Sequence, residues 1–193
     1  EAYELFLREL VGAGNSVIVP TPAYMPFLSV PKLYDVDVIE IEMLQSGDAE
    51  TGEAQWVFDF DAIERAFAAG CHAFVLCNPH NPIGKVLTLE EELRLSDLAA
   101  QYDVRIFNDE IHAPFVFEGK HIPFPTISEQ AALQSMTATS ASKSFNIPGT
   151  KCAQVLLTNP ADRDMWAVKA EWSEHQTATI GAIATTTAYN EGD

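Results

Sequence analysis

Residues 73–77, AFVLC, form an unbroken apolar run between Gly70 and the Asn78-Pro79 pair. A strand with one wet face alternates polar and apolar side chains. One that does not alternate must be covered on both faces, as strands of parallel sheets are. Similar short runs stand at 16–20 (SVIVP) and 104–107 (VRIF). Between them lie stretches of helical period. FDFDAIERAFAAG has Asp59 or Asp61 as its N-cap candidate and Gly70 as its end, and TLEEELRLSDLAAQYD opens on a Thr88-x-x-Glu91 capping box. Strand and helix alternating in this way predict an α/β fold, a mostly parallel sheet flanked by helices with right-handed crossovers.

The other segments extend the scheme. EAYELFLRELVGAG places Ala2, Leu5, Leu10 and Val11 at near-helical spacing, with Gly12 and Gly14 able to end the helix. Tyr34 to Met43 suits a strand, SVIVP is expected to close at Pro20, and ISEQAALQ is a short helix running into a strand at SMTATS. CAQVLLT at 152–158 is a further strand, followed by a helix with Asn159 as cap and Pro160 in its first turn. LQSGDAETGEAQ at 44–55 reads as a polar, solvated loop, and the acids of the 88–103 helix as a solvated face.

Charge narrows the function classes. With 11 Lys and Arg against 28 Asp and Glu, the net charge is −17, and no basic cluster exists to neutralise nucleic-acid phosphates. No apolar run approaches the ~20 residues that span a bilayer. Cys71, Cys77 and Cys152 are scattered without a CxxC spacing, which favours reduced thiols in a cytoplasmic setting over a disulfide framework or zinc site. No metal is expected: His72, His80 and His175 have no ligand-like arrangement, and His121 reads as structural.

The residues able to carry chemistry sit where strands end. TPAYMPF (21–27) follows the first strand, with Pro22 restricting how Tyr24 can be presented. NPHNPIG (78–84) follows the AFVLC strand, and its two Asn-Pro pairs and glycine demand an irregular turn. NDEIH (108–112) closes VRIF. The stretch TATSASKSFNIPGTK (137–151) sets Lys143 among Ser140, Ser142 and Ser144, ahead of apolar Phe145 and Ile147. A lysine partly withdrawn from water there would lose its proton more readily, and a neutral amine can form a Schiff base. In open α/β sheets ligands collect at the carboxyl ends of strands.

Taken together and in this order, TPAYMPF, NPHNPIG, NDEIH and SASKSFNIPG resemble the class I/II aminotransferase superfamily of type I enzymes that use pyridoxal 5'-phosphate. DEIHAPFVFEGKHIPF followed by SKSFNIPG looks most like its cystathionine β-lyase or cysteine-S-conjugate β-lyase branch. The resemblance covers nearly the whole chain. It implies that residues 1–193 are the central part of a cofactor-binding large domain. It also implies further segments on both sides and a dimeric whole protein, and little turnover from these residues alone.

Roles follow from the resemblance position by position. Lys143 would carry the cofactor as a Schiff base and move the substrate's Cα proton, and Asp109 would pair with the pyridine nitrogen. Asn81 would donate to the 3'-oxygen, and Tyr24 would stack on the ring. Ser140 and Lys151 would hold the phosphate, although Lys151 stands where the superfamily commonly has arginine and lacks its planar fork. His112 replaces a usual tyrosine and could contact the same oxygen as Asn81 or orient neighbours. The implied reaction is α,β-elimination from an amino-acid substrate, cystathionine or a related cysteine S-conjugate, to pyruvate, ammonia and a thiol. Transamination uses the same lysine and is the alternative. A non-enzyme alternative is the aminotransferase-like sensor domain of some bacterial transcriptional regulators, which a basic helix-turn-helix ahead of Glu1 would mark.

Overall fold

The computed structural model describes residues 1–47 and 54–192. Helix α1 (Ala2–Leu5) continues through a wider π-type segment, Phe6–Val11, and ends where the Gly12 N–H donates to the Leu7 carbonyl at 2.8 Å. Gly12 takes φ +83°, which a residue with a Cβ adopts only under strain. Strand β1 (Ser16–Thr21) then leads to α2 (Met25–Ser29) and β2 (Asp37–Glu42).

A small antiparallel hairpin follows, β3 (Leu44–Ser46) with β4 (Gln55–Val57), paired Leu44↔Val57 to Ser46↔Gln55. The flanks of the expected polar loop are thus strands, because two short segments leaving the sheet can satisfy their backbone groups on each other. The part of that loop at 48–53 lies outside the described residues.

The core of the fold is the alternation α3 (Phe60–Ala68), β5 (Ala73–Cys77), α4 (Leu89–Gln101), β6 (Arg105–Asp109), α5 (Glu129–Gln134) and β7 (Ser135–Thr139). Beyond it lie α6 (Ala141–Ser144), β8 (Gln154–Leu157), α7 (Pro160–Lys169), α8 (Glu171–His175) and α9 (Thr179–Glu191). The six-stranded sheet runs β2-β1-β5-β6-β7-β8, parallel except for β8, which pairs antiparallel with β7.

Side chains of β5 explain its lack of alternation. Phe74 and Leu76 pack into a cluster with Ile63, Phe67, Leu95, Ile106 and Phe124 beneath α3 and α4. Ala73, Val75 and Cys77 enter the opposite cluster with Phe6, Val17, Phe107, Met136 and Ala170. Each fully buried Phe or Leu in these layers contributes about 1.5–3 kcal/mol through removal from water.

The predicted caps are present. Asp59 accepts from the Ala62 N–H at 2.9 Å, and in α4 the Thr88 hydroxyl accepts from the Glu91 N–H while the Glu91 carboxylate accepts from the Thr88 N–H. Two details differ from expectation. Pro20 lies within β1, opposite Ile41 of β2, whereas β1 meets β5 around Ile18↔Phe74; having no N–H to donate, it lies beyond that second pairing. Glu92, expected on a solvated face, is fully buried, since α4 turns it toward Asn78, whose amide donates to it at 2.7 Å.

Candidate active site

Strands β1, β5, β6 and β7 run parallel, so the four segments that follow them all leave from one edge of the sheet. Register tightens the grouping. Asp109 lies beside Cys77 of β5 on one flank and Ala138 of β7 on the other. The sheet therefore brings the ends carrying Tyr24, Asn81, Asp109 and Lys143 to a common edge, as sequence order alone could only suggest.

Asp109 is half-buried, and its Oδ1 accepts from the Ile111 N–H at 3.0 Å. Burial pushes its carboxyl up from 3.8 to about 6, with Glu110 adding to the rise and the Ile111 N–H and the Lys143 charge opposing it. Three residues on, burial and then the Lys143 charge push the His112 imidazole down. The charge of Lys143 thus acts on both groups. The Nδ1 atom of His112 and the hydroxyl of Ser144 are buried without a hydrogen-bond partner among the described residues.

Lys143 lies on α6, and its side chain is exposed. The partial withdrawal from water anticipated for it is not found: Lys143 is an exposed residue on a four-residue helix that stands where a tight loop was expected. Ser140 is buried as the N-cap of this helix. Its hydroxyl accepts from the Ser142 N–H at 3.0 Å and donates to the Cys152 carbonyl at 2.6 Å. Its single proton is therefore already committed. Lys151 is exposed and left-handed, with φ +51°, just after the Pro148–Thr150 turn.

Tyr24 is 45% exposed, packed edge-to-face on Phe27 at 5.6 Å and 84°, so its outer face is open. Asn81 is half-buried, and its side-chain amide has no hydrogen bond among the described residues. Nearby, the buried thiol of Cys77 donates to the Pro79 carbonyl at 3.4 Å, and burial and then Asp109 push it up to about 12. No group of His, Cys, Asp and Glu able to hold a metal ion occurs among the described residues. Nor is any described helix long and apolar enough to cross a membrane.

Three residues escaped the sequence reading. Asn78 accepts from the Leu87 N–H at 3.0 Å and donates to Glu92, closing the turn that carries Asn81. His80 links that turn to Pro22. A helical position for Glu92 was legible, but burial of a carboxylate depends on what packs over it.

A model of the family "Aminotransferase class I and II" matches residues 1–191, and the chain belongs to that family. Within it, the chain is 39% identical over 190 residues to a cystathionine beta-lyase of Corynebacterium glutamicum, covering 98% of this chain and 48% of that protein. Cystalysin of Treponema denticola, solved with pyridoxal 5'-phosphate, superposes with a TM-score of 0.87 at 30% identity, over 98% of this chain and 48% of that one. A probable kynurenine–oxoglutarate transaminase of Saccharomyces cerevisiae is 30% identical over 167 residues, 85% of this chain and 37% of its own. The chain spans about half the length of the curated relatives it matches.

Proposed function

We propose that this chain carries the pyridoxal 5'-phosphate site of a carbon–sulfur β-lyase acting on cystathionine or related cysteine S-conjugates. The observation that carries the reading is a half-buried acid raised to about 6 at the sheet edge from which the Asn81 turn also leaves, beside a lysine whose charge both Asp109 and His112 feel. The donor set fits the group. Its ring nitrogen suits Asp109, its ring oxygen the Asn81 amide, its flat face the open side of Tyr24, and its aldehyde the Lys143 amine. The Nδ1 of His112 and the hydroxyl of Ser144, without partners among the described residues, leave further capacity.

When bound, pyridoxal phosphate supplies an aldehyde for the amine of the substrate and an electron sink for the charge left at Cα. Asp109 would hold its ring nitrogen as the facing anion, and a cation against it would draw the carboxyl back down from about 6. Lys143 Nζ takes the proton from the substrate Cα. Loss of the β-thiolate, with water consumed, gives the thiol, pyruvate and ammonia. Lys151, with Ser140 where its hydroxyl can turn from Cys152, would face the phosphate.

Likeness to the Corynebacterium glutamicum lyase favours elimination, and likeness to the yeast transaminase keeps amino transfer as the second reading. Borohydride reduction of the full-length gene product with its cofactor, followed by peptide mapping, should put the adduct on Lys143, and Lys143→Ala should lose it. An adduct elsewhere overturns the assignment. Pyruvate release from cystathionine without a keto-acid acceptor is expected. Amino transfer without pyruvate would replace the lyase by the transaminase.

A further inference from the structure

His80 lies in the turn between β5 and α4 and is 3% exposed. Its main chain closes the turn upon itself: the His80 N–H donates to the Lys85 carbonyl and the Gly84 N–H donates to the His80 carbonyl, both at 2.7 Å. Its ring reaches away from the turn. Nε2 lies 2.9 Å from the carbonyl oxygen of Pro22, at the exit of β1 and 58 positions earlier in the chain.

A carbonyl oxygen only accepts, so Nε2 must carry the proton. Nδ1 is buried with no hydrogen-bond partner among the described residues, and an unprotonated nitrogen there leaves a lone pair unsatisfied rather than an N–H. Burial favours the neutral ring, aided by the charge of Lys85, and outweighs the Pro22 and Cys77 carbonyls, which favour the cation; of the two, only the Pro22 carbonyl stands in hydrogen-bonding geometry to the ring. The ring is thus set as the neutral Nε2–H tautomer with one directed donor.

Pro22 stands two residues before Tyr24, and His80 one residue before Asn81. We propose that His80 is a positioning residue whose Nε2–H ties the β1 exit to the β5 turn, holding Tyr24 and Asn81 in one fixed register. This rests on the function proposed above, in which both residues reach the same planar group. The tie acts through Pro22, and His80 itself touches no reacting atom.

The test uses the full-length gene product in three forms. Wild type is labelled with 15N-histidine and examined without cofactor, where His80 should show a protonated Nε2 and an unprotonated Nδ1 at neutral pH. His80→Phe keeps the ring volume and loses the donor, and should weaken binding of pyridoxal 5'-phosphate by about tenfold, as expected for one directed hydrogen bond. His80→Gln places an amide N–H near the position of Nε2 and should return binding to within about twofold of wild type.

A charged or Nδ1-protonated ring in the wild-type protein would overturn the proposal, whether or not the variants fold. So would unchanged binding by His80→Phe. Equal loss in His80→Gln and His80→Phe would also overturn it, since ring packing rather than the donor would then hold the register. A reduced adduct that does not map to Lys143 would instead remove the proposed function, and leaves the ring tautomer and its bond to Pro22 as measured.

Discussion

Replacing Glu92 by glutamine isolates one buried acid from the many exposed ones on this chain. Glu92 is fully buried; Oε1 accepts from Asn78 at 2.7 Å, and Oε2 has no partner among the described residues. Burial pushes its carboxyl up from 4.5 to about 7, against the pull of His121 and the Asn78 amide, while Glu110 and Glu91 add to the rise. The folded protein then keeps a proton that the unfolded chain gives up near 4.5. Stability falls as pH rises above about 4.5, and the loss is complete above about 7. A displacement of that size corresponds to about 3 kcal/mol.

Glutamine keeps the shape and the oxygen that Asn78 needs, and its amide N–H stands where the protonated acid has its O–H. The difference in unfolding free energy between Glu92→Gln and wild type cancels the other titrating groups. Followed by urea denaturation of the full-length protein, it should be near zero at about pH 4 and reach about 3 kcal/mol in favour of the variant at about pH 8. A flat difference, or a variant that becomes the less stable form at high pH, would refute the reasoning. Either would mean that Glu92 is ionised in the folded protein and its charge compensated there.

Two further substitutions probe the frame around the lysine helix. A Cβ at Gly181 of α9 would stand well inside contact distance of the Thr150 carbonyl oxygen and 3.0 Å from Cys152 Cβ. Gly181→Ala should therefore cost about 2 kcal/mol of unfolding free energy, and an unchanged denaturation midpoint would show that α9 does not seat on the 150–152 segment. Asp162 is buried and paired with Arg105, whose Nε–H also donates to the Gln134 carbonyl at 3.0 Å. Asp162→Ala strips the guanidinium of its counter-charge and should lower stability by about 3 kcal/mol, with a loss under about 1 kcal/mol in the same assay counting against the pairing.

Much of the sheet was legible because each strand announces itself locally. AFVLC needs cover on both faces whatever lies beside it, and Thr88 with Glu91 marks a helix start within four residues. The antiparallel sense of β8 was not legible, since a short apolar run carries no direction. The same division runs through the site. That Asp109 stands at a strand end could be seen in NDEIH, but its displacement to about 6 comes from what covers it. Ser140 was recognisable as a hydroxyl three residues before Lys143, while its bond to Cys152, twelve positions on, depends on the return of the chain into β8. The contact made by His80 was hidden for a related reason. A search for ligand-like histidine spacing cannot find a ring whose partner is a proline carbonyl.

The site divides into a part held by the sheet and a part that is not. Asp109 is pinned by strands on both flanks, so its burial is a property of the fold. An acid kept from water in this way raises the energy of its own charged form, and a cation set against it lowers that energy again. Lys143 supplies some of this from α6, but its amine is exposed, and water screens the attraction. A protonated ring nitrogen sheltered beside Asp109 would act without that screening. An acid held at a rigid sheet edge is therefore a better partner for a cation sheltered with it than for one standing in water.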